Sequence, residues 1–185
     1  MRKVLLSSLL IGLLLFSTLC VFAYETIIIK FPSKELWVKA YYKKIGNEAI
    51  LQYVPSGQAR DNWTRAVVVH SYKYSNYPIS VFLSNTSARM QKINPTAPYK
   101  TLRLTENDAI IGRCTKDYNK TQGQCEFLRV TKGYEGTVTI HYMNKNKDDF
   151  MYHYNQWYDI IKQAKLYNSY YRDERTLDKA EYFEL

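Results

Sequence analysis

One segment of this chain alternates with the period of a β-strand, and it sets the reading of the segments around it. From Leu36 to Lys44, Leu36, Val38, Ala40 and Tyr42 alternate with Trp37, Lys39, Tyr41 and Lys43, the pattern of a strand with one face covered and the other wetted. Gly46-Asn47 reads as a turn and Glu48–Val54 as its hairpin partner, which Pro55-Ser56-Gly57 breaks. A short strand over 25–31 ends at Pro32, and 63–72 is rich in β-branched residues through Val67-Val68-Val69. Further strands are predicted over 99–104, 109–114, 124–130 and 137–143.

Two segments change period. Ile79, Phe82, Leu83, Thr86, Met90 and Ile93 make a helical stripe, opened by Pro78 and stopped by Asn94-Pro95. A final helix starts near Asp148-Asp149, acids suited to the positive end of the helix dipole, and turns Phe150, Tyr154, Trp157, Ile161 and Ala164 inward. It is expected to run beyond Ala164. The order β-β-β-β-α-β-β-β-β-α predicts an α+β fold, a mostly antiparallel β-sheet flanked by two helices, in a single domain over 24–167. Residues 168–185 are charged and Tyr-rich, a tail or an extension of the helix.

The chain has 185 residues, about one domain's worth, and its 46% hydrophobic and 23% charged residues exclude the disordered and disulfide-dense classes. Met1-Arg2-Lys3, the apolar run from Val4 to Phe16, and Val21 and Ala23 match a secretory signal peptide over 1–23, cleaved after Ala23. The expected location is secreted or periplasmic, with no membrane span in the mature chain. The competing reading is an uncleaved anchor from Val4 to Phe22, against which Ser7, Ser8, Ser17 and Thr18 weigh. Lipid attachment at Cys20 is disfavoured by the bulky Leu19 before it.

Loss of Arg2 and Lys3 lowers the net charge from +9 to +7 and leaves two cysteines, Cys114 and Cys125. In an oxidising compartment they read as one disulfide at the mouth of a polar hairpin, worth about 3 kcal/mol. Two free buried thiols are the competing reading. Zinc is poorer still, since no second ligand pair is near.

Several short stretches carry a resemblance: Trp37-Val-Lys-Ala-Tyr-Tyr, Leu51-Gln-Tyr-Val-Pro-Ser-Gly-Gln58, Asp61-Asn-Trp-Thr64 before a strand, Cys125-Glu-Phe, Gly136–Tyr142 and a closing helix around Trp157. Over most of Leu36–Ala164 the chain resembles small secreted or periplasmic bacterial proteins of uncharacterised function, and through them the PsbP-like α/β sandwich. The resemblance implies an antiparallel sheet flanked by helices and binding, assembly or accessory roles. It carries no catalytic constellation onto these positions.

The sequence has no Gly-x-Ser-x-Gly elbow, no His-Glu-x-x-His motif, no phosphate-binding Gly-x-x-x-x-Gly-Lys and no dinucleotide fingerprint. That removes the commonest secreted hydrolases and proteases. His70, His141 and His153 would support metal or general-base chemistry only if they met beside a carboxylate such as Asp148 or Asp149. Asn62, Asn85 and Asn119 head formal glycosylation sequons that read as chance matches; Asn62 suits a turn cap, and Trp63 an anchor at a sheet edge or the lining of a groove.

Tyrosine is abundant, 18 residues with three Trp and seven Phe. If the alternation holds, Lys39 and Lys43 share an outward strand face with Trp37 and Tyr41, a pairing of cations and rings suited to a polyanion, an anionic lipid headgroup or a glycan. The bland alternative is a solvated face in a basic protein. Nucleic acid is disfavoured, since no recognition helix or RNA-binding signature is present.

The expected function is an exported, non-enzymatic binding or accessory protein, a host-directed factor if the organism is host-associated. Its partner would be a protein or an anionic surface or glycan, engaged through Trp37, Lys39, Tyr41, Lys43, Trp63 and Arg65, with Tyr42 and Tyr72 adding contact area. No metal or other cofactor is expected. The alternative is a hydrolase of unrecognised type using His70 or His141 with an acid, marked by a His–carboxylate pair in a concave pocket.

Overall fold

The computed structural model describes residues 25–168 and 182–183. The chain runs through β1 (Glu25–Ile28), β2 (Trp37–Ile45), β3 (Glu48–Pro55), β4 (Arg65–Lys73), α1 (Ile79–Ile93), β5 (Lys100–Leu104), β6 (Asp108–Cys114), β7 (Cys125–Lys132), β8 (Gly136–Asn144), α2 (Lys147–Tyr152), α3 (Tyr154–Gln163), β9 (Lys165–Asn168) and β10 (Tyr182–Phe183). Seven strands form one antiparallel sheet in the order β2-β3-β4-β8-β7-β6-β5. It is two meanders set edge to edge, joined where β4 pairs with β8 from Arg65↔Asn144 to Lys73↔Gly136. The α+β class and the antiparallel sheet agree with the sequence pattern.

Side-chain alternation gives the sheet two apolar faces. Leu51, Tyr53, Val67, Val69, Phe127, Val138, Ile140 and Tyr142 point to one, where they meet Phe150, Trp157 and Ile161 of α2 and α3. Tyr142 stacks on Trp157 with ring centroids 3.9 Å apart, and Trp157 meets Trp37 edge-on at 5.1 Å. The opposite face is thinner. Ala109, Ile111, Leu128 and Val130 bury only Ile79 of α1 fully, with Phe82 and Leu83 partly covered. This light packing leaves room under the rest of α1.

Three expectations change. The first strand does not join the main sheet: β1 lies between β9 and β10 in a separate antiparallel sheet, and Ile27 of β1 and Ile29 just after it enter the larger core. The final helix is two helices broken at His153, so there are three helices among the described residues. It also stops at Gln163, because Arg129 Nη1 reaches from the sheet to the carbonyls of Ile161 (2.9 Å) and Ala164 (2.6 Å) and satisfies the helix end. The chain then turns extended as β9.

The disulfide forms between Cys114 and Cys125, directly opposed residues of β6 and β7, and closes the hairpin as expected. Among the described residues no helix is long and apolar enough to cross a membrane. The signal peptide expected over 1–23 and most of the tail lie outside the described residues.

Candidate functional site

On the α1 side of the sheet a carboxylate is fully buried. Glu126 of β7 has no exposed surface and accepts from Tyr99 Oη (2.6 Å), Arg113 Nε (2.5 Å) and Gln124 Nε2 (2.8 Å), with His141 Nε2 at 2.8 Å. The disulfide register places these groups, since one residue inward from Cys114↔Cys125 the ladder opposes Arg113 to Glu126. Burial alone would raise the Glu126 pKa. His141, the Tyr99 hydroxyl and the Arg113 guanidinium outweigh it and hold the carboxyl well below its ordinary range. Tyr99 moves the other way, raised by burial and then by the Glu126 charge.

His141 forms part of the wall of a recess of about 90 Å³ under α1, with His70, Tyr72, Thr86, Arg89 and Thr139 among its other walls. Strand pairing brings the two histidines to one face, because Val68 opposes His141 and His70 opposes Thr139 across β4 and β8. Burial lowers the His70 pKa below 6.5, the charge of Arg89 pushes the same way, and contact with Glu48 at 3.2 Å opposes both. Burial raises Tyr72, beside which Arg89 lies.

The recess adjoins an open groove of about 410 Å³ that shares Tyr72, Phe82, Thr86 and Arg89 with it and is further lined by Asn47, Glu48, Lys73, Tyr74, Ser75, Tyr77 and Asn85. Tyr72 meets Phe82 edge-on at 5.2 Å. Tyr74 and Tyr77 stand 68% and 63% exposed at the mouth. Tyr74 sits at φ 62°, a left-handed conformation unfavourable for a bulky side chain, and its N–H donates to the Glu135 carbonyl at 2.6 Å.

Among the charged groups of this groove, Glu48 is engaged by His70 and Lys73 by Glu135 (3.0 Å). Arg89 pairs with no carboxylate among the described residues.

The six binding residues expected from the sequence do not form one surface. The β2–β3 ladder slips between Lys39 and Tyr41, so the bulge splits the expected face: Trp37 and Lys39 lie on the α2/α3 side, Tyr41 and Lys43 on the α1 side. Trp37 is 4% exposed, stacks on Phe31 at 5.0 Å and donates its Nε1–H to Glu35. Arg60 covers the Tyr41 ring at 3.8 Å and Lys145 covers Trp63 at 4.2 Å. Arg65 is held by Glu35 and Asp149. Tyr72, expected only as added contact area, is the one tyrosine of that group that lines the groove.

His153 does not meet the other two histidines. It lies on the opposite face, its Nδ1 3.2 Å from Asp149 Oδ1, in a separate groove of about 530 Å³ with Glu35, Arg65, Tyr152 and Gln156. The carboxylate beside His141 is Glu126, not Asp148 or Asp149. Glu126 and Arg89 were missed because local periodicity treats an isolated charge in a strand or on a helix as solvated, and Tyr99 because nothing local directs its hydroxyl to a carboxylate 27 residues away. Among the described residues no group of three His, Cys, Asp or Glu is placed to hold a metal ion.

Comparison with known proteins yields no match to any family model, curated protein or solved structure.

Proposed function

We propose that this chain is an exported binding protein of the PsbP-like α/β-sandwich type, and that it takes an organic anion into the groove between α1 and the sheet. The observation that carries the reading is Arg89. It stands where groove and recess meet, without an acidic partner among the described residues, while the neighbouring Glu48 and Lys73 are both engaged. A guanidinium so placed donates to a carboxylate in a fixed fork. Rings at the mouth supply apolar contact to the body of the ligand. The Cys114–Cys125 disulfide is compatible with an oxidising, extracellular setting.

Titration of isotope-labelled protein with glucuronate and with benzoate, followed by NMR, tests this reading. The expected response is concentrated at Arg89, Tyr72, Asn85 and Thr86. Shifts confined to other faces, or none, reject it.

A second reading, a hydrolase of unrecognised type, is favoured by His141, which lines the recess with its Nε2 2.8 Å from the buried Glu126 behind it. A carboxylate that holds one imidazole nitrogen orients the ring and supports the other as a general base. On this reading His141→Gln lowers turnover of a bound ester by about 100-fold or more and leaves its binding intact; unchanged turnover rejects it.

A further inference from the structure

We infer that the ligand of the α1 groove is an acidic oligosaccharide, a short chain of sugar rings bearing carboxylates; this rests on the reading that the groove takes an organic anion. Sugars have apolar C–H faces and polar edges, and the groove offers surfaces for both. Tyr74 and Tyr77 present exposed rings at the mouth, with Tyr72 and Phe82 behind them. The left-handed backbone of Tyr74 places a ring where glycine would be the easier choice. The same lining holds Asn47, Asn85 and Thr86, short side chains able to donate and accept, and none makes a side-chain hydrogen bond among the described residues.

Charge narrows the class. A polyphosphate needs a row of cations, because its charges recur along the whole backbone. Here Lys73 is paired with Glu135, Glu48 lies in the groove, and Arg89 is the one cation of the lining without a carboxylate partner among the described residues. One guanidinium suits one carboxylate per stretch of ligand. A fatty chain fits poorly, since Phe82 is the only groove-lining side chain without a polar group. The groove is open and continues into the recess at the shared residues, which favours a ligand of several linked units over a single compact one.

Calorimetry with hexagalacturonate, galacturonate and neutral cellohexaose, on wild type, Arg89→Gln and Tyr77→Ala, tests the inference. Both substituted side chains are exposed, so thermal melting should be unchanged. Hexagalacturonate should bind about 10-fold or more tighter than galacturonate or cellohexaose. Arg89→Gln should erase the preference for the acidic chain, and Tyr77→Ala should weaken both hexamers. If carboxylates perturb the groove but hexagalacturonate binds no tighter than galacturonate, or cellohexaose binds equally well, the oligosaccharide is overturned and the anion reading stands. If no carboxylate perturbs the groove, both fall.

Discussion

His141 Nε2 lies 2.8 Å from Oε2 of Glu126, a carboxylate with no exposed surface, and Arg113, also buried, faces the same carboxylate from the neighbouring strand. Removing the acid alone leaves a buried guanidinium with the carbonyls of Asn94 and Ala97 but no counter-charge. Glu126→Leu should therefore cost about 3–5 kcal/mol, whereas Arg113→Met with Glu126→Leu should lose much less than the sum of the single changes. Urea unfolding of the two single variants and the double variant measures this coupling; strict additivity would show that the pair acts independently.

The same burial sets a pH profile. Glu126 stays ionised in the fold below the pH at which the unfolded chain takes up its proton, near 4.5, so its contribution is full above that value and is lost as pH falls. His70, lowered from 6.5, acts in the same direction at milder acidity. Tyr99 and Tyr142, both raised above 10.0 chiefly by burial, keep protons that the unfolded chain releases, so stability falls as pH rises beyond 10.0. Urea midpoints across about pH 3 to 11 should fall at both ends, and phenolate absorbance of these two residues should appear only with unfolding.

Arg129 joins three parts of the fold. Its Nε donates to Asp108 at 2.6 Å, and its Nη1 closes the carbonyl end of α3. Arg129→Met should destabilise by about 3–5 kcal/mol, since Asp108 keeps only the weaker approach of Arg103 at 3.3 Å. Hydrogen exchange should locate the loss at the end of α3 and in β9. A uniform change over the sheet would contradict the clamp.

Tyr74 separates stability from binding. With φ at 62°, Tyr74→Gly relieves a backbone penalty of about 1 kcal/mol and removes a ring from the groove mouth. Melting temperature should hold or rise while ligand affinity drops. A fall in stability with affinity unchanged would show that the ring serves the fold.

The strands at Val67-Val68-Val69, the α1 stripe and the hairpin closed by Cys114 and Cys125 were legible because each depends on local period or on a pair close in sequence. The site depends on placements that local period does not encode. His70 and His141 share a face only because β4 pairs with β8 across α1 and the second meander. Glu126 interrupts an otherwise apolar run and reads as exposed until Arg113, Tyr99 and His141 are placed around it. The bulge beside Ala40 is equally hidden, since residue types keep alternating while the ladder slips. One signal was present: a cross-strand disulfide between Cys114 and Cys125 implies that Arg113 faces Glu126.

The most direct measurement is the affinity of glucuronate for wild type and Arg89→Gln, by the same NMR titration, with melting temperature as control. Loss of one charge-assisted interaction at an exposed side chain should weaken binding by about 10-fold or more and leave stability unchanged. Equal affinity in the two proteins would contradict a ligand site built on Arg89.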